Sequence, residues 1–486
     1  MDGSSDLIIC PNFNGVPNLE ELVLARCSNL CELHPSIVKL KKLKLLDLGE
    51  CQELTSLPDK FEMESLVTLN LTRCLNVKKI PEFVGNMELF QELFLEGTAI
   101  IELPSSVECL TGLNTLILKN CKNLLCFPNI ICSLTSLKNL NLYGCSKIDE
   151  LPKDLGNIIS LKTLDFSRTA IKELPSSIEF LTGLEVLVLE DCKKFVLLPS
   201  TVCSLKSLRR MCLSRCPKFV NLPENLGNLQ HLSGLSLEGT AIEVLPSSVG
   251  RLAALYSLNL NDCKNLVCLP STICNLKMVQ FLYLTGCSNI TNLPENLGNM
   301  EGLLVLHLGG TAIKELPSSV IHIKRLEEVY CKGGQLSSSS LTSLPACDII
   351  DLSDCNLSAI PSGIDFSMSC SRLYLRGNDF VSLPESSISQ FSYLRSLYLD
   401  GCKSLRSLSN FRIPSKVEFI CVDNCTSLES LPEPPIHFLD NRRSDFGFPA
   451  YKFTVQCFNC FKLADNIQNF SNLFQVSLSL VSKCVF

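Results

Sequence analysis

No apolar run of 18 residues occurs anywhere in the chain, so nothing in it predicts a membrane-spanning helix. No like-charge run is long enough to form a tail, and the 43 basic and 49 acidic residues are interspersed at a net charge of −6. A polyanion-binding surface is therefore not expected, and neither nucleic acid nor an anionic membrane is an expected partner. "MDGSSDLIICPNF" lacks the basic and apolar regions of a secretory leader, so the expected location is cytoplasmic, with the nucleus as an alternative. At the other end, "KCVF" places Cys484 one position too late for prenylation.

Catalytic patterns are also missing. The histidines, His34, His231, His307, His322 and His437, are scattered, with no H-E-x-x-H arrangement. No G-x-x-x-x-G-K-[ST] phosphate loop is present. The one C-x-x-C, Cys457 to Cys460, has no second pair to complete a zinc site, and a packed pair of thiols is the expected reading. No enzyme activity, cofactor or metal is expected.

What the chain has is cysteine in register. Of its 28 cysteines, Cys27, Cys51, Cys74, Cys121, Cys145, Cys192, Cys216, Cys263, Cys287, Cys355, Cys402 and Cys425 fall at the same point of a pattern, L-x-x-L-x-L-x-x-C-x-x-L-x-x-L-P, with a period of 23 or 24 residues. "LKLLDLGECQELTSLP" and "LNTLILKNCKNLLCFP" are examples. This is the leucine-rich repeat. The expected fold is an α/β solenoid, a leucine-rich-repeat horseshoe. A parallel concave sheet, short helical or irregular convex segments and a short β-rich C-terminal tail make it up. Strand leucines such as Leu164 and Leu258 point inward, and alternate residues line the concave face.

A longer period lies on top of the first. "EGTAIIELPSSV", "SRTAIKELPSSI", "EGTAIEVLPSSV" and "GGTAIKELPSSV" recur every 71 residues. Each has threonine (Thr98, Thr169, Thr240, Thr311) where other repeats have cysteine, and each repeat is one residue shorter. Gly85, Gly156, Gly227 and Gly298 keep the same 71-residue step, so a block of three repeats has been amplified. Cysteine or threonine at the turn suits a small buried donor to nearby backbone, and Asn378 occupies that site once.

The organisation expected is a solenoid over 1–332, a Gly/Ser-rich loop interrupting the register over 333–347, further repeats over 348–435, and a partial jelly-roll-like module over 436–486. Two surfaces are candidates for contact. Tyr256, Phe281, Tyr283, His307, Tyr330, Tyr374 and Tyr398, with Tyr143 earlier, fall at outward positions of the predicted concave face. Clustered aromatics suit a protein interface, although tyrosine also simply suits a half-exposed strand. Glu185, Glu190 and Asp191 sit beside Arg209, Arg210 and Arg215, as a solvated pairing across strands or as a docking patch.

The entry "PNFNGVPNLEELVLARCSNLCELHPSI", the "LP" endings and the exit "VDNCTSLESLPEPP" followed by "FNCFKLADN" resemble plant intracellular immune receptors of the TIR, nucleotide-binding, leucine-rich-repeat class. The resemblance implies recognition of a pathogen effector or host target and control of a nucleotide-binding signalling domain, in cis or in trans. The TIR segment and phosphate loop of that class are absent from this sequence. A stand-alone adaptor, scaffold or decoy is the other reading. The G-x-I-P endings of extracellular plant repeats are also missing.

Overall fold

The computed structural model describes residues 2–337, 340, 344–359, 370–383, 392–409, 411–432 and 453–464. Parts of the Gly/Ser-rich stretch and most of 436–486 lie outside the described residues. The chain divides into two compact units, Met1–Leu255 and Tyr256–Phe486.

In the first unit three-residue strands pair in parallel from one coil to the next. Glu21–Val23 joins Leu45–Asp47, which joins Thr68–Asn70, and so on through Glu92–Phe94, Thr115–Ile117, Asn139–Asn141, Thr163–Asp165, Val186–Val188, Arg210–Cys212 and Gly234–Ser236. The register never slips, because the central residue of each strand is an inward apolar side chain: Leu46, Leu69, Leu116 and Leu164 are fully buried. A shift by one residue would expose every one of them.

The second unit repeats this arrangement. Ser257–Asn259, Phe281–Tyr283, Val305–His307, Glu328–Tyr330, Ile349–Asp351, Arg372–Tyr374, Ser396–Tyr398 and Phe419–Cys421 pair in parallel in turn. Glu328 pairs directly with Ile349, so the sheet runs on across the Gly/Ser-rich stretch. Thr454–Gln456 adds a strand beside Phe419–Cys421, and a single α-helical turn, Phe461–Ala464, follows it.

The convex segments are short 3-10 helices, such as Ser176–Phe180, Ser200–Ser204 and Ser271–Asn275. Each starts after a proline at the N-cap, Pro175, Pro199 or Pro270, with φ between −68° and −65°. Proline lacks an N–H that the cap would leave unpaired, while its carbonyl still accepts the first helical bond. A 3-10 helix rises about 2 Å per residue against about 1.5 Å for an α-helix, so it spans the convex side with fewer residues.

The cysteines form a ladder. The Sγ of Cys51 donates to the Leu24 carbonyl of the preceding coil at 3.1 Å, Cys74 to Leu48 at 3.1 Å, Cys145 to Leu118 at 3.0 Å, Cys216 to Leu189 at 3.0 Å and Cys287 to Leu260 at 3.0 Å. The threonines behave differently. Thr98 donates to Leu95 of its own coil at 2.9 Å, and Thr169 to Phe166 at 2.6 Å. The longer C–S bond carries the thiol to the adjacent coil, and the threonine hydroxyl satisfies its own turn. Asn378 does both at once, donating to Leu352 and Leu375 at 2.9 Å and accepting from the Cys355 and Leu357 amides. The residue before each of these positions is left-handed, among them Glu50, Gly97, Asp191 and Gly377, and this bend turns the donor inward.

Candidate functional site

The first unit's strands present a polar surface that satisfies itself. Thr163 Oγ1 donates to Asn139 Oδ1 at 2.7 Å, and Asn70 Nδ2 to Asp47 Oδ1 at 2.8 Å. Asn70, Asn141 and Asp165 each accept the backbone N–H two residues on, in Asx turns. Tyr143 lies just beyond its strand, with Lys119 5.7 Å and Arg168 5.2 Å from its ring centre. Those cations are held in turn by Glu96 and Asp191, each at 3.3 Å.

The charged patch is only partly assembled as the sequence suggests. Arg215 meets Glu190, but Glu185 pairs with Lys162 at 3.3 Å and Asp191 with Arg168 and Lys193. Arg209 and Arg210 are exposed and enter no ion pair among the described residues. Each such exposed pair contributes about 0–1 kcal/mol.

The second unit has a different surface. Parallel strands stand about 4.8 Å apart, so rings at equivalent positions of successive repeats come within stacking distance. Tyr283, His307, Tyr330, Tyr374 and Tyr398 are the last residues of their strands; Phe281 is the first of its own, and Tyr256 immediately precedes a strand. The rings fall into two clusters. Tyr256 meets Phe281 edge-on at 5.2 Å, and Phe281 and Tyr283 stack at 6.2 Å. His307 then sits 4.9 Å from Tyr283 and 4.4 Å from Tyr330. Beyond Asp351, Tyr374 stacks on Tyr398 at 4.3 Å, and Tyr398 reaches Phe419 at 5.4 Å.

Two members of this surface were not found from the sequence. Phe419 occupies the first outward position of "VEFICV" and is legible from the repeat register alone. Arg376, two residues past Tyr374, lies over Tyr374 at 5.1 Å and Tyr398 at 4.8 Å, with Asp400 2.9 Å from its Nε. The left-handed residue after it, Gly377, recurs in the other coils, but which way a long side chain at this position folds is not shown by the repeat pattern.

Burial tunes the groups in the first cluster. The Tyr330 hydroxyl is pushed up to about 12, by burial first and then by its 2.8 Å hydrogen bond to Glu328 Oε2. His307 is held below the ordinary value for histidine because burial disfavours its charged form, against the pull of Glu328 and Asp351. It is a neutral ring at pH 7. No group of three or more metal-ligating side chains occurs among the described residues, and Cys460 donates to the Val422 carbonyl at 3.0 Å as one more rung of the thiol ladder.

Parallel strands in register, thiol rungs and short convex helices define the repeat, and the family description "Leucine-rich repeat region" matches residues 131–221 and 184–286. This is a leucine-rich-repeat protein. It is related at moderate identity to plant disease-resistance proteins. It is 40% identical over 267 residues to the TMV resistance protein N of Nicotiana glutinosa, covering 54% of this chain and 23% of that protein. The Arabidopsis thaliana "Probable disease resistance protein At4g19520" is 32% identical over 397 residues, covering 79% of this chain and 20% of its own length. The chain thus spans less than a quarter of these curated relatives. Among solved structures, a Leptospira interrogans leucine-rich-repeat protein superposes with a TM-score of 0.58 at 26% identity, covering 82% of this chain and 89% of that one. The plant peptide hormone receptor RGFR1, solved in complex with RGF2, has a TM-score of 0.51 at 20% identity over 87% of this chain and 76% of its own, and shares the fold. The leucine-rich-repeat protein is an interaction module related to these disease-resistance proteins. No helix of the described residues is long and apolar enough to cross a membrane.

Proposed function

We propose that this leucine-rich-repeat protein is a recognition module of plant innate immunity. It binds a protein ligand, a pathogen effector or a host target, through the ring-lined strands of the second unit, and through that contact regulates a nucleotide-binding signalling partner in cis or in trans. The work takes place in the cytosol or nucleus. One observation carries the reading: the unbroken run of ring contacts from Tyr256 to Tyr330 on neighbouring strands. Rings already fixed against one another lose little freedom on binding, and aromatic residues dominate interface energetics. The disease-resistance relatives supply the setting in which such binding acts.

The test is capture of a partner protein from infected plant tissue by the tagged chain, compared with a variant carrying Tyr283→Ala, Tyr330→Ala and Tyr398→Ala. The reading expects loss of the partner with the melting transition little changed, since these side chains stand outside the leucine core. A partner retained at full strength by the triple variant would place the contact elsewhere.

A further inference from the structure

At two ring sites on the strand surface a cation and its carboxylate accompany the rings. Tyr143 has Lys119 and Arg168 over its face, paired with Glu96 and Asp191. Tyr374 and Tyr398 have Arg376 over their faces, paired with Asp400. The remaining cluster lacks one part of this set.

Asp351 pairs in register with Tyr330 on one side and Tyr374 on the other, so a half-buried carboxylate separates the two ring clusters. Glu328 precedes Tyr330 by two residues on the same strand and therefore faces the same way. Among the described residues Glu328 accepts only from the Tyr330 hydroxyl, and Asp351 Oδ1 accepts the Ser353 N–H at 2.9 Å. Nearby carboxylates do have cations: Asp348 pairs with Arg372 at 3.5 Å and Glu418 with Arg395 at 3.5 Å. Among the described residues, Glu328 and Asp351 have none. Of the bases beside them, Arg372, whose charge reaches Tyr330 and Tyr374, is paired with Asp348, and His307 is neutral at pH 7.

Ring faces carry the negative side of the aromatic quadrupole, and two carboxylates add to it, so the complement is a positive charge. We infer that the gap at Asp351 receives a lysine or arginine side chain of the protein partner. Its charge lies against the ring faces of Tyr330 and Tyr374, with Glu328 and Asp351 as counter-charges, as Arg376 and Asp400 already do one coil further on. This inference rests on the recognition reading above and names the residue class that the surface selects.

A displayed library of random 12-residue peptides, panned on the full chain, tests it. Recovered peptides should share a basic residue, and replacing that residue with norleucine should weaken binding about tenfold. The Glu328→Gln, Asp351→Asn double variant, which removes charge and keeps shape, should abolish that difference. Binding should still depend on Tyr283, Tyr330 and Tyr398. Ring-dependent peptides without a basic preference, or a norleucine penalty unchanged in the double variant, would overturn the charge assignment and leave the recognition surface standing. A library yielding no ring-dependent binder would overturn both.

Discussion

Gly227 and Ser248 interlock across adjacent coils: the Gly227 N–H donates to Ser248 Oγ at 3.1 Å, and a methyl group on Gly227 would lie 2.2 Å from the Ser248 carbonyl oxygen. Gly156 with Ser177 and Gly298 with Ser319 repeat the joint, with N–H···Oγ distances of 3.2 and 3.0 Å. Each pair joins the last coil of one 71-residue block to the first coil of the next. A whole block therefore docks onto another copy of itself without a new interface, whereas a single duplicated coil would put glycine and serine out of step. This gives a physical reason for amplification in threes.

Gly227→Ala should accordingly destabilise the first unit by about 1–3 kcal/mol, the usual cost of forcing an extra methyl against fixed backbone. Urea denaturation checks this. An unchanged midpoint would mean that the coils separate there freely and that the joint is not what sets the block.

Gly85 marks where the sequence period stops predicting structure. It keeps the 71-residue step, yet it is exposed at φ +85°, and a methyl group placed on it would meet only Glu64 within 4 Å. The reason lies two residues earlier. Phe83 turns inward, pairs as a strand with Phe61 and gives its own N–H to Ser106 at 2.9 Å, displacing the 3-10 turn that the other blocks form. Inward leucines and turn cysteines are legible because they recur. Whether a hydroxyl bonds its own coil, as Thr98 does, or a guanidinium folds back over rings, as Arg376 does, depends on reach and turn geometry that the repeat pattern leaves open. The carboxylate gap at Asp351 is likewise visible only once the rings are placed on either side of it.

Leu164, fully buried at the centre of its strand, separates core from surface experimentally. Leu164→Ala should cost about 2–5 kcal/mol, because neighbouring coils cannot collapse into the cavity without breaking their own register. Lys172→Ala, on the exposed side of the same coil, should stay within about 0.5 kcal/mol. Equal effects in urea titrations would contradict the assignment of faces.

The thiol ladder should resist modification. Burial pushes Cys51, Cys74 and Cys287 up to about 12, and each thiol already donates to a carbonyl. Cys31, Cys126 and Cys268 are exposed. Iodoacetamide at about pH 8 should label the exposed three in the native protein and reach the ladder only after denaturation, as read by peptide mass spectrometry. Comparable native rates at Cys51 and Cys126 would show that the coils open readily in solution.

His307 gives the second unit a pH dependence whose sign follows from its surroundings. Burial between Tyr283 and Tyr330 lowers it from 6.5, while Glu328 and Asp351 pull it the other way. With the folded value below the unfolded one, the unfolded chain binds more protons here as the solution is acidified. The contribution of the neutral ring is therefore complete above 6.5 and is lost as pH falls through the lowered folded value. His307→Gln should flatten this part of the stability profile between about pH 5 and about pH 8, and the His307 imidazole resonances, assigned by their loss in that variant, should titrate below 6.5. Glu328→Gln should lower the histidine further, because it removes a charge that favours the imidazolium. A His307 that titrates above 6.5 would show that the two carboxylates outweigh burial, and the ring would then supply the cation that the gap at Asp351 lacks.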